Sequence, residues 1–136
     1  MKNTASPTSI VYLIDDEPIC RQSMRSVLKA FGYQCIDFGT SEEFLKELAQ
    51  RFDSNDTNWS GLVVADFRLD GMNGLQLFEK TRQLGCDQPF VLISGHADND
   101  LVETSLKAGV SEFLQKPIDF EHLRERIAKL MTVFDN

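Results

Sequence analysis

Two apolar runs of strand type end on acid: Ile10-Val11-Tyr12-Leu13-Ile14 runs into Asp15-Asp16, and Leu62-Val63-Val64-Ala65 into Asp66. Short apolar runs bounded by polar punctuation read as strands buried on both faces of a parallel sheet. Their C-terminal ends share one edge, where open α/β sheets bind ligands. Carboxylates about 4 Å apart repel by roughly 4 kcal/mol per pair at an effective dielectric of about 20, so clustering them costs stability unless a cation neutralises them. Oxygen ligands with no His or Cys beside them favour Mg2+ or Mn2+ over zinc, and Mg2+ held by few carboxylates shares its shell with waters and a phosphate.

A chain of 136 residues with 42% apolar content supports one domain, expected over 10–136 behind a short, flexible polar tail at 1–9. The net charge of −7 argues against a sequence-independent grip on nucleic acid or anionic membrane. Any DNA contact would need a part not present here. Cys20, Cys35 and Cys86 are odd in number and lack metal-site or CxxC spacing, and read as reduced thiols of a cytoplasmic protein. No signal peptide and no 18-residue apolar run occurs, so the chain is expected to be soluble. Without a secretory signal, the glycosylation patterns at Asn55 and Asn58 read as accidental.

Strands and helices alternate along the chain. Pro18 opens a helix with Cys20, Met24, Val27, Leu28 and Phe31 at helical spacing, and Gly32 stops it. Tyr33 to Phe38 mixes Gln34 and Asp37 with apolar residues, as an edge strand does. Thr40 and Glu43 have capping-box spacing ahead of Phe44, Leu45, Leu48 and Phe52. The polar stretch 53–60 reads as a surface loop. Beyond Asp66 come a helix from near Gly74, a strand over Phe90 to Ile93 ending at Ser94, a helix from Asp98 to Ala108, a strand from Val110 to Leu114 and a helix from Asp119 to Phe134. The last helix carries Phe120, Leu123, Ile127, Leu130 and Phe134 on one stripe, with Asp119 as its N-cap. The helix from Asp98 has only Leu101, Val102, Leu106 and Ala108 to bury, and is expected to be weakly held. Five β–α pairs argue an α/β fold with a doubly wound parallel sheet.

Asp15-Asp16-Glu17-Pro18, Asp66-Phe67-Arg68-Leu69-Asp70-Gly71-Met72-Asn73-Gly74, Ser94-Gly95-His96 and Lys116-Pro117 together resemble the CheY-like receiver domain of bacterial two-component response regulators. The resemblance spans roughly Ile10 to Phe134, and over Leu92 to Asp119 it is nearest to nitrogen-fixation-type, FixJ-like regulators. It implies a flavodoxin-like (βα)5 fold of sheet order 2-1-3-4-5. It also implies a phosphoacceptor at Asp66, with Asp16 and Asp66 as direct Mg2+ ligands, Asp15 acting through water and the Arg68 carbonyl completing the protein shell. Ser94 corresponds to the hydroxyl that reaches the phosphoryl group, Lys116 to the family lysine, Phe113 to the aromatic switch, and Lys116-Pro117 to a cis peptide. The implied function is Mg2+-dependent acceptance of phosphate from a sensor histidine kinase or phosphotransfer protein. Such a chain is no enzyme beyond its own phosphorylation and dephosphorylation.

Elementary chemistry supports these roles: a carboxylate is a competent nucleophile, and phosphoryl transfer needs mainly alignment and neutralised charge. Arg68 and His96, each two residues beyond a site residue, are expected to set the lifetime of the phosphorylated state. Residues 98–134 are expected to present the switched face, to a second copy or an output domain. Asp70 departs from the family's usual Pro; it reads as a solvated turn residue, with a metal contact as the alternative. A haloacid-dehalogenase-type phosphatase would need Asp where Arg68 stands, and a flavin binder would find phosphate repelled by Asp15-Asp16-Glu17. The remaining alternative is a phosphorylation-independent interaction module that keeps the fold.

Overall fold

The computed structural model describes residues 10–53, 61–96 and 98–135, and the side chains of 52, 53 and 132–135 lie outside that description. The expectations for the 1–9 tail, the 54–60 part of the loop with Asn55 and Asn58, and the Phe52 and Phe134 side chains therefore fall outside the described residues. Strands and helices alternate: β1 (Ile10–Ile14), α1 (Pro18–Ala30), β2 (Gln34–Phe38), α2 (Ser41–Asp53), β3 (Gly61–Asp66), α3 (Gly74–Gln83), β4 (Phe90–Ser94), α4 (Asn99–Ala108), β5 (Glu112–Gln115) and α5 (Phe120–Asp135). The sheet runs β2-β1-β3-β4-β5 with every pairing parallel. This is the expected flavodoxin-like order, and β2 is an edge strand as its mixed composition predicts.

Side chains alternate across the sheet, so each strand feeds two cores. Val11, Leu13, Leu62, Val64, Val91 and Ile93 pack against Met24 and Leu28 of α1 and Leu123 and Ile127 of α5. Tyr12, Ile14, Val63, Ala65, Phe90 and Leu92 pack against Phe44 and Leu48 of α2 and Leu77 and Phe78 of α3. The helix starts follow their capping residues: the Thr40 hydroxyl accepts the Glu43 N–H, Asp98 accepts from Leu101 and Asp119 from His122. In α4 only Ser105 is buried, its hydroxyl has no hydrogen-bond partner, and Leu106 is 46% exposed. The expectation of a thinly packed helix holds. Lys116-Pro117 is cis.

Two expectations are corrected. The fifth strand begins at Glu112, two residues later than its apolar pattern predicts, because Gly109 turns left-handed (φ 116°) and the Val110 N–H bonds back to Ser105 at the end of α4. Phe120 lies on the stripe of α5 yet is 40% exposed: it is the first residue of the helix, and the buried part of the stripe begins at Leu123.

Gly74 fixes how close α3 comes to the strand that carries Asp66. A Cβ there would lie 2.7 Å from the Asp66 carbonyl and 2.5 Å from Leu92 Cδ2. Gly74→Ala is expected to destabilise the fold by about 1–3 kcal/mol, the usual cost of overpacking, in urea unfolding. An unchanged midpoint would contradict this packing.

Candidate functional site

The carboxylates left at the C-terminal sheet edge are held by main-chain amides. Asp15 continues the β1 direction, its N–H bonded to the Phe38 carbonyl (3.2 Å). Its Oδ1 accepts the Glu17 N–H at 2.9 Å, the short-range turn that Asp favours. Asp66 ends β3 in the same way, Oδ1 accepting the Arg68 N–H at 3.0 Å. Asp16 reaches across, Oδ2 accepting the Asp70 N–H at 3.1 Å, which ties the β1–α1 loop to the β3–α3 loop.

Lys116 enters from β5. Its N–H bonds to the Ser94 carbonyl (2.9 Å), and its Nζ donates to Asp66 Oδ2 at 2.7 Å. Burial alone would lower the Lys116 pKa, but the Asp66 hydrogen bond and the charges of Asp66 and Asp15 outweigh it and raise the pKa above the usual lysine range. The ammonium is therefore firmly charged at neutral pH. Burial pushes Asp15 the other way from an ordinary surface acid: its pKa is raised, with the Glu17 N–H opposing and the negative charge of Asp66 adding to the rise.

Asp16, Asp66, Arg68, Asp70, His96 and Lys116 are among the residues lining an open cleft of about 650 Å3. Asp15 is buried behind it. Ser94 is buried too, and its Oγ accepts the His96 N–H at 3.1 Å. Phe113, paired with Leu92 in the β4–β5 register, is half-buried on the face of the sheet to which strand alternation also assigns Ser94. The structure thus brings Asp16, Asp66, Lys116, Arg68 and His96 to one cleft, while Asp15, Ser94 and Phe113 stand behind or beside it.

The donor set suits a hard cation that keeps part of its water shell. Its anionic donors are carboxylate oxygens at an open cleft, and burial, with the charge of Asp66 adding to it, already raises the Asp15 pKa. Among the described residues no three His, Cys, Asp or Glu side chains converge into a closed cage. A bound ion would take its remaining ligands from main chain and water.

Some supporting residues carried no signal in a sequence reading. Asn73 builds a full capping box with Gln76 (2.8 and 2.9 Å) and so aims the N-terminus of α3; the Asn-x-x-Gln spacing before an apolar run was the available clue. Arg21 grips the Asp15 carbonyl at 2.7 Å and Asp37 at 3.0 Å, a link across sixteen residues that no local pattern announces.

A family model described as the response regulator receiver domain matches residues 11–128. The chain is 32% identical over 120 residues to the C4-dicarboxylate transport transcriptional regulatory protein DctD of Rhizobium meliloti, covering 88% of this chain and 24% of that protein. It is 28% identical over 117 residues to the transcriptional regulatory protein FixJ of Bradyrhizobium diazoefficiens, covering 86% of this chain and 54% of that protein. Among solved structures, the response regulator receiver domain protein of Clostridium thermocellum superposes with a TM-score of 0.82 at 21% identity, over 93% of this chain and 97% of that one. The chain therefore spans 24% to 54% of the length of these two curated relatives.

The raised pKa of Asp15 has a direction that unfolding can read. The folded state binds that proton more tightly than the unfolded chain, so its contribution is present below the ordinary carboxylate range and is lost as pH rises through the raised value. In metal-free buffer at pH 7, Asp15→Asn is expected to melt at a higher temperature than the parent, the gap closing as pH falls. Asn keeps an oxygen for the Glu17 N–H. A variant melting at or below the parent at pH 7 would refute the assignment.

Proposed function

The chain belongs to the response regulator receiver domain family, and we propose that it acts there as a phosphoacceptor switch with Asp66 as the acceptor. The observation that carries this reading is the 2.7 Å pairing of Asp66 with Lys116 at an open, oxygen-lined cleft. One carboxylate oxygen attacks the donor phosphorus as the bond from phosphorus to the donor's leaving group breaks. The leaving group departs with the bonding electrons, and the product is an acyl phosphate on Asp66. Lys116 opposes the charge on the phosphoryl oxygens, and Arg68 and His96 flank the water that later hydrolyses the product.

The donor set fits Mg2+, or Mn2+ in its place, with Asp16 and Asp66 as ligands, Asp15 acting through water and the Arg68 carbonyl completing the protein share. Bound there, the ion would supply further charge neutralisation. As a receiver domain the chain is a signalling module and not a classical enzyme. No described helix is long and apolar enough to cross a membrane, which accords with a cytoplasmic module. Its donor is a sensor histidine kinase or a phosphotransfer protein. An apolar groove of about 330 Å3 lined by Ile19, Met24, Pro117, Ile118 and Phe120 also reaches Asp66 and Lys116, giving a protein donor a contact beside the acceptor.

The output is read on the face formed by residues 98–134, by a second copy or an output domain. Ser94 moving toward the phosphoryl group frees space for Phe113 to turn inward and biases the thinly packed α4. Moving a two-state population from 1:99 to 99:1 takes about 5.5 kcal/mol. A few charge-assisted hydrogen bonds at about 1.5–3 kcal/mol each approach that, so a partial shift is expected.

Incubation with acetyl phosphate and Mg2+ followed by intact-mass measurement should add one phosphoryl group to the parent and none to Asp66→Ala. Decay of that mass over time should change in Arg68→Ala and His96→Ala. A parent that takes no phosphate would leave the phosphorylation-independent interaction module as the reading, and a labelled Asp66→Ala would move the acceptor elsewhere. Amide NMR with beryllofluoride, a phosphoryl mimic, should shift resonances across 98–134. Shifts confined to the Asp66 pocket would remove the proposed output face.

A further inference from the structure

We propose that Arg21 is a positioning residue for the acidic pair Asp15-Asp16, holding their shared peptide plane so that Asp16 is aimed at the cation site before any ion arrives. The inference rests on the functional reading above and extends it to a residue outside the cleft.

The observations are geometric. Arg21 sits one turn into α1, its side chain 21% exposed. Nη1 donates to the Asp15 carbonyl at 2.7 Å, while Nε donates to Asp37 Oδ2 at 3.0 Å near the end of the edge strand. Gly39 leaves the room this requires: a Cβ there would lie 3.1 Å from Nη1. The guanidinium thus spans α1, the end of β2 and the β1–α1 loop. The guanidinium offers its donors in a fixed planar fork, which holds the carbonyl and the carboxylate in one set geometry.

Rigidity of the peptide carries the effect to Asp16. The Asp15 carbonyl shares a plane with the Asp16 nitrogen, so fixing the oxygen direction fixes the course of the chain into Asp16. The other polar groups of Asp15 are served locally: its N–H by the Phe38 carbonyl and its Oδ1 by the Glu17 N–H. Its carbonyl is bonded by a side chain, so substituting Arg21 removes that restraint, together with the bond to Asp37, and leaves the strand ladder standing. Arg25 supplies an internal control. It pairs with the same Asp37, at 3.2 Å, while the Asp15 carbonyl is bonded by Arg21.

Groups that orient metal ligands from behind typically contribute 10–100-fold in metal affinity. Isothermal titration of the whole chain with Mg2+ is therefore expected to give about 10–100-fold weaker binding for Arg21→Ala, an intermediate loss for Arg21→Lys, and a change under about twofold for Arg25→Ala. Urea unfolding of each variant checks that the fold survives; should Arg21→Ala not fold, Arg21→Lys carries the comparison. Parental affinity in the Arg21 variants, or equal losses in Arg21→Ala and Arg25→Ala, would overturn the proposal. A parent that binds no Mg2+ would instead overturn the cation part of the functional reading. In that event amide NMR of the metal-free proteins still decides on Arg21, because its loss must move the Asp16 amide while loss of Arg25 must not.

Discussion

The ion pair between Lys116 Nζ and Asp66 Oδ2 is the contact on which the sheet edge depends. Parallel strands deliver Asp15, Asp16 and Asp66 to one side, and nothing in the sheet itself offsets their repulsion. The compensation is distributed. Asp15, Asp16 and Asp66 each accept one main-chain N–H, from Glu17, Asp70 and Arg68, and Lys116 adds a full opposite charge. Amide donors favour the ionised form without bringing a competing side chain into the cleft. Lys116 is therefore the one cation aimed at Asp66 among the described residues, which leaves room for charge to arrive from outside.

Both faces of the sheet carry a buried core, but the helices share the covering unequally and α4 contributes least. On one side α1 and α5 bury Met24, Leu28, Leu123, Ile127 and Met131 in a continuous core. On the other, α2 and α3 bury Phe44, Leu48, Leu77 and Phe78, whereas α4 contributes a single buried residue, a serine with an unpaired hydroxyl. An unsatisfied buried hydroxyl and few apolar contacts place α4 at the low-stability end of the fold. Phe113 lies on the adjoining edge strand, in register with Leu92 and one pleat from Ser94.

Legibility in the sequence followed the range of the interactions involved. Strands β1, β3 and β4 were legible because a strand buried on both faces must be apolar throughout, and the caps at Thr40 and Asp119 because they act within three residues. The start of β5 was not, since Val110 is apolar whether it enters a ladder or, as here, closes the end of α4. Phe120 shows the complementary failure: helical spacing identifies a stripe but not how much of it, here from Leu123 onward, is buried. That Asp66 and Lys116 meet was legible from the motifs in which they stand and not from residue type, since an Asp favours turns and a Lys the surface. Arg21 and Asp37 were illegible because each reads locally as an ordinary surface charge, and only the fold brings them together.

Position 70 shows how a side-chain reading can miss what the main chain does. The family resemblance leads one to expect proline there, and the Asp70 side chain is exposed, as a turn residue's would be. Proline has no N–H. The 3.1 Å bond from the Asp70 amide to Asp16 Oδ2 exists in this chain because the residue is not proline, whatever its side chain. Asp16 is thereby restrained from two directions, through its carboxylate by the β3–α3 loop and through its peptide plane by Arg21. A proline would stiffen that loop by its ring, whereas here the loop is tied by its main chain to the Asp16 carboxylate, so loop order and carboxylate orientation are coupled. A displacement of the Asp16 carboxylate therefore bears on the Asp70 amide and, along the chain, on the loop that leads through Gly71 and Asn73 to the start of α3.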